Sequence, residues 1–119
     1  MEENNDCLFC KIAKKEIPSE IVYEDENVIA FKDIHPVAPV HVLLIPKIHI
    51  TSINYLDESN ISYIEDIFKV IPQIAKKLGI FDKGYRLIAN TGDDGGQVVK
   101  HLHFHLIGGV HLGPKIVRE

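Results

Sequence analysis

His101, His103 and His105 recur at every second position, with Leu102, Phe104 and Leu106 between them. Period two is the periodicity of a β-strand. On a strand the three imidazoles share one face, roughly 6–7 Å apart between alternate residues, and the apolar residues face a core. A helix would scatter them. Near neutral pH an imidazole serves as a base, a nucleophile or a metal ligand. The apolar alternation is too regular for a purification tag.

Directly before this strand comes Thr91-Gly92-Asp93-Asp94-Gly95-Gly96-Gln97. Glycines let backbone N–H groups approach a ligand, and concave glycine-rich turns favour anions. Alone, such a loop reads equally well as an ordinary hairpin turn. Joined to H-x-H-x-H, it reads as a phosphate held in line with an imidazole. A neutral imidazole can attack phosphorus and form a covalent intermediate that water resolves. A second imidazole and Gln97 can orient the phosphate or protonate the leaving group. Asp93 and Asp94 read as solvated turn formers.

Cys7 and Cys10 form C-x-x-C, half of a tetrahedral zinc site that needs two more nitrogen or sulfur ligands. His49 and one histidine of the triad are candidates. The competing readings are a pair of unmetallated thiols and a hydrogen-bonded buried His49. His35, His41 and His111 each stand single and read as surface or loop residues.

The elements that must position these groups follow from periodicity. Residues 7–15 carry Leu8, Phe9, Ile12 and Ala13 at helical spacing, ended before Pro18. Ile21–Glu24 and residues 28–33 read as a hairpin around Asp25-Glu26-Asn27. Residues 41–46 are nearly all apolar and read as a central strand buried on both sides. One long helix follows, capped by Asp57 and stapled by Leu56 onto Ile61. Ile61, Ile64, Ile67, Phe68, Ile71, Ile74, Ala75 and Leu78 form its stripe. A kink is expected at Pro72 and a C-terminal cap at Gly79. Residues 85–90 read as a further strand. Without regular βαβ alternation this is an α+β fold, an antiparallel sheet with helices packed on one side.

At 119 residues one domain is expected, with 45% hydrophobic residues to build its core. The net charge of −4 is mixed in sign throughout, so a nucleic-acid polymer is not an expected partner. The acidic start lacks the pattern of a signal peptide, and no apolar run is long enough to span a bilayer. A soluble, cytoplasmic protein is expected, with residues 1–5 flexible and residues 110–119 forming a C-terminal tail.

In combination these motifs resemble the histidine triad (HIT) superfamily, and within it the branch of purine nucleoside phosphoramidases. Beyond His101-Leu102-His103-Phe104-His105-Leu106-Ile107, the resemblance rests on several other stretches. These are Asp6-Cys7-Leu8-Phe9-Cys10-Lys11-Ile12, Glu16-Ile17-Pro18-Ser19, Ala30-Phe31-Lys32-Asp33-Ile34 and Pro36-Val37-Ala38-Pro39-Val40-His41. Ile45-Pro46-Lys47-Ile48-His49-Ile50 and Gly95-Gly96-Gln97 complete the set. The resemblance runs from about Asp6 to Pro114. It implies a fold of about five antiparallel strands with a short N-terminal and a long helix, paired as a homodimer. It implies His103 as the nucleophile, with His105 and Gln97 on the phosphate and Asn90, Gly96 and Val98 alongside. Asp33 would bind ribose hydroxyls, and Phe9, Ile12, Phe31 and Ile34 would line the base pocket. The implied substrates are nucleoside 5′-phosphoramidates and aminoacyl adenylates, cleaved to AMP or GMP plus an amine. Members with C-x-x-C are similar to this chain in a further way, which implies structural zinc on Cys7, Cys10, His49 and His101. Many members carry a hydroxyl residue where this chain has Val98, which implies slower or differently selective turnover. Two other readings compete: a dinucleoside polyphosphate hydrolase or phosphorylase of a neighbouring branch, and a zinc-stabilised nucleotide-binding protein with vestigial activity.

Overall fold

In the computed structural model, which describes residues 6–114, side-chain alternation decides the architecture. The strands are β1 (Ile21–Glu24), β2 (Val28–Lys32), β3 (Val40–Pro46), β4 (Tyr85–Ile88) and β5 (Phe104–Gly108). They form one five-stranded sheet in the order β1-β2-β3-β5-β4, and every adjacent pair is antiparallel. Two helices complete the fold, α1 (Leu8–Ala13) and α2 (Ile61–Lys77). β3 is the central strand that its apolar run demands. The expectations for residues 1–5 and 115–119 lie outside the described residues.

Val28, Ala30, Val42, Leu44, Phe104 and Leu106 pack with Ile67, Val70, Ile71 and Ile74 of α2. Their chain neighbours Ile29, Phe31, Leu43 and Ile45 pack instead with Phe9, Cys10 and Ile12 of α1. The helices therefore cover opposite faces of the sheet, which corrects the expectation that both lie on one side. The reason is in β2 and β3: neither strand has a polar face, so both faces need cover.

α2 buries Ile67, Val70, Ile71, Ile74 and Ala75. Val70 joins the expected stripe, whereas Ile61 and Phe68 leave it, at 50% and 49% exposure. Both sit at the edge of the arc that the i, i+3, i+4 positions around Ile67, Ile71 and Ile74 define. The helix runs through Pro72 as one element. Its end is a Schellman cap at Gly79, whose φ of 78° suits a glycine. Gly79 N–H donates to the Lys76 carbonyl and Ile80 N–H to that of Ala75. The start differs from the Asp57 expectation: Asn60 is the N-cap. Asp57 Oδ1 is taken by the N–H and hydroxyl of Ser59 in a preceding turn. Asn60 accepts from Asp57 N–H and donates to the Tyr55 carbonyl, so neither side chain caps the helix. Among the described residues no helix is long and apolar enough to cross a membrane.

Candidate active site and metal centre

Only His105 of the three alternating histidines lies in a strand, because β5 begins at Phe104. The ladder with β3 ends at the Leu44–Phe104 pair. Pro46 has no N–H to extend it. Instead the chain before β5 is fastened to the segment after β3, with Leu102 N–H donating to the Ile50 carbonyl at 2.6 Å. This break separates the fates of the three imidazoles.

His101 is fully buried and turned toward the cysteines. Its Nδ1 lies 3.3 Å from Cys7 Sγ and 3.4 Å from Cys10 Sγ. His49 Nδ1 lies 3.4 Å from Cys10 Sγ. The four donor atoms of Cys7, Cys10, His49 and His101 all fall within 4.8 Å of one another. The outer ring nitrogens are committed elsewhere. His101 Nε2 is 3.0 Å from the Pro46 carbonyl, which can only accept, so this nitrogen carries the proton. His49 Nε2 is 3.3 Å from Thr51 Oγ1. The His101 ring thus aims its Nδ1 lone pair at the thiols, and His49 presents its Nδ1 to Cys10. Burial holds the His101 pKa down to about 4 and lowers that of His49, so both rings are neutral, as metal ligation requires. Two thiols and two such imidazoles fit a tetrahedral ion that prefers nitrogen and sulfur.

His103 donates its Nδ1–H to the His101 carbonyl at 2.7 Å, which leaves Nε2 with its lone pair. Burial lowers its pKa and keeps it neutral. The Phe9 ring meets it edge-on at 5.0 Å between centroids, and also meets His101 at 6.0 Å. The His105 ring is 5.0 Å from that of His103. Burial, then the neighbouring His103 and His41, push the His105 pKa down to about 4.

His41 is not the surface or loop residue its isolation in the sequence suggests. It is buried in β3, on the same sheet face as His105. Val37 N–H donates to His41 Nδ1 at 3.2 Å, which puts the His41 proton on Nε2. That nitrogen is 3.0 Å from His105 Nδ1 and 3.4 Å from Asp33 Oδ2. His105 therefore accepts on Nδ1 and carries its own proton on Nε2. Burial lowers the His41 pKa against the pull of Asp33, so the pair stays neutral.

A cavity of about 550 Å³ opens between α1, the end of β2, the loop after β2 and residues 96–99. Of the residues that the sequence nominates for nucleotide contact, it is lined by Phe9, Ile12, Phe31, Asp33, Ile34, Asn90, Gly96, Val98, His103 and His105. Gln97 is not in that wall: its side-chain oxygen accepts from Gly92 N–H and its amide donates to the Thr51 and Val99 carbonyls. Within the glycine loop, Gly96 and Gln97 N–H are spent on the carbonyls of Asp93 and Gly92. Asp93 and Asp94 are exposed, as read from the sequence, and Asp93 pairs with Lys100. Leu8, Ile17, Leu43 and Val99 add apolar wall that the sequence reading did not name. For Leu43 the signal was present in the alternation of β3.

A five-stranded antiparallel sheet that sets two neutral imidazoles at the floor of a cavity, next to a third in a Cys/His cluster, defines a histidine-triad protein. The HIT domain family model matches residues 14–112, and the chain belongs to that family. It is 46% identical over 112 residues to a purine nucleoside phosphoramidase from Escherichia coli K12, covering 94% of each chain. It is also 46% identical to Protein HitA from Neisseria gonorrhoeae, over 87% of this chain and 96% of that protein. Among solved structures, a HIT family hydrolase from Clostridium thermocellum superposes with a TM-score of 0.93 at 56% identity, covering 97% of this chain and all 100% of that one. A histidine triad protein from Clostridium difficile gives a TM-score of 0.91 at 48% identity, over 95% and 98% of the two chains.

Proposed function

We propose that this protein is a hydrolase of nucleoside 5′-phosphoramidates, taking purine nucleotides and releasing AMP or GMP plus an amine. The carrying observation is the state of His103: neutral, in the cavity wall, with Nδ1–H tied to a carbonyl and Nε2 unprotonated. The phosphoramidase relative at 46% identity supports the same chemistry.

In this reading Nε2 of His103 attacks phosphorus, the P–N bond to the amine breaks, and a nucleotidyl-histidine forms. Water then attacks phosphorus, the bond to His103 breaks, and the mononucleotide leaves. The amine takes a proton from solvent as the P–N bond breaks, and the attacking water returns one to solvent in the second step, so the balance closes. His105 offers its Nε2–H to a phosphoryl oxygen, and His41 holds that tautomer. Phe9, Ile12, Phe31 and Ile34 accept the base, Asp33 the ribose hydroxyls, and Asn90 with the Val98 backbone the phosphate side, where Gly96 supplies close approach and not a free N–H.

Cys7, Cys10, His49 and His101 would hold zinc in this reading. Zinc supplies a structural cross-link there, since four protein ligands leave no open position. Elemental analysis should find zinc in the wild type and lose it in Cys7→Ser. A homodimer is part of the same reading. β4 is an edge strand, and exposed Ile61 and Phe68 border a groove on α2. Sedimentation should give a dimer, and Phe68→Glu a monomer. We assign the reaction to the cytoplasm, where thiols stay reduced.

The test is AMP release from adenosine 5′-phosphoramidate by wild type and His103→Ala, alongside a dinucleoside polyphosphate. Wild type should prefer the P–N substrate, and mass spectrometry should find an AMP adduct on the peptide bearing His103. Equal release by both proteins, or none by either, would overturn the reading.

A further inference from the structure

Gln97 is nine-tenths and more buried, at 4% exposure, yet it makes no part of the cavity wall. Every hydrogen-bonding group it has is committed. Its N–H donates to the Gly92 carbonyl at 3.0 Å, and Gly92 N–H returns a bond to Gln97 Oε1 at 3.0 Å. This reciprocal pair ties the two ends of the glycine loop together. Its carbonyl accepts from Lys100 Nζ at 2.7 Å, and Lys100 also reaches Asp93 across the loop. Its side-chain amide donates to the Val99 carbonyl at 3.1 Å and, across the chain, to the Thr51 carbonyl at 2.7 Å.

The Thr51 contact gives this knot a fixed reference. Residues 49–51 run beside residues 97–102 and fasten them at three points. His49 faces His101 across the cysteines, Ile50 accepts from Leu102 N–H, and Thr51 accepts from Gln97. The same Thr51 meets the outer nitrogen of His49 through its hydroxyl. His103 hangs from this stretch by its bond to the His101 carbonyl. The glycine loop and the nucleophile are therefore registered against one rail.

We propose that Gln97 is a positioning residue and not a phosphate ligand: it holds the loop that carries Gly96 and Val98 at a fixed distance from His103. The proposal rests on the nucleotide reading of the cavity. A carboxamide suits the task because one side chain must accept from one backbone group and donate to two others. A loop displaced by an ångström from the line of attack loses rate steeply.

The decisive measurement uses the wild-type protein with nitrogen-15 in its glutamine side chains and histidine rings. The Gln97 amide signal should be protected from solvent exchange, and should stay in place at saturating AMP while the His103 and His105 ring signals move. A Gln97 signal that moves as far as the ring signals overturns the proposal alone. Ring signals that also stay put overturn the nucleotide reading, and the proposal with it. In Gln97→Leu, kcat should fall roughly 10- to 100-fold with KM near the wild-type value, because the base end of the cavity is untouched. Gly92 N–H should exchange about tenfold faster. An unchanged kcat, or a loss that falls on KM, overturns the positioning role.

Discussion

Val42 and Leu44 point from β3 toward α2, whereas Leu43 and Ile45 point toward α1. His41 shares the α1 side with His105. On the α2 side the buried cluster is aliphatic and aromatic, with polar contacts such as Lys77 to the Val22 carbonyl and Asn27 to Asp66 at its margin. On the α1 side stand two buried thiols and five imidazoles, of which His41, His101 and His103 are buried and His49 and His105 half-buried. One set of strands thus separates stability from chemistry by residue parity alone. The α1 side remains buried and satisfied because each imidazole finds a carbonyl, a thiol or another ring; among the described residues no buried side-chain polar atom lacks a partner.

Substitutions on the two faces should therefore fail in opposite ways. His103→Ala should cut AMP release by roughly a thousandfold or more while leaving the melting temperature close to wild type. Ile74→Ala, at a position 1% exposed in the α2 cluster, should cost about 2–5 kcal/mol in urea unfolding. Its kcat should be unchanged wherever the protein is folded. An Ile74→Ala protein that is stable but slow would erase the division between faces. His41→Asn sits between these extremes. It removes the ring that sets the His105 tautomer and should lower kcat by about ten- to a hundredfold, with a smaller stability loss than Ile74→Ala.

The smallest expected effect concerns pH. His105 is held to about 4 in the folded chain, against an ordinary value of about 6.5 in the unfolded one. As pH falls between those values, the unfolded chain binds the proton first, so stability declines through that window and is unaffected by His105 above it. Urea midpoints from pH 7.5 to 5 should fall, and should fall less in His105→Asn. Equal slopes for the two proteins would show that His105 is not buried in its neutral form. AMP release should stay level down through pH 6.5, because the rings already lack their extra protons.

The chemistry-bearing residues were legible where spacing is local. H-x-H-x-H and C-x-x-C announce themselves, and the nearly continuous apolar run of β3 marks a central strand. What was not legible depends on pairing between distant segments. His41 looks like one histidine in an apolar run, and only the register of β3 against β5 brings it to His105, 64 residues away. Gln97 follows a glycine pair and suggests phosphate contact. Its actual partners are backbone groups, including Thr51 at a separation of 46 residues, and backbone carries no side-chain signature. The start of α2 was misplaced because Asp57 and Asn60 are both good caps by type, and a local turn claims both. The placement of both helices on one face overlooked what the run at residues 41–46 already required, cover on each side.

α1 has six residues, with Cys7 as its N-cap and Cys10 inside its first turn. A helix this short does not persist by itself in water. Its place depends on the sheet face it covers and on its thiols meeting His49 and His101. Phe9 comes with it, carried between those two cysteines onto the ring of His103. One wall of the cavity is thus in place only while α1 is docked. A chain in which the Cys/His cluster is not closed would keep His103 beside the sheet and lack one side of the chamber around it.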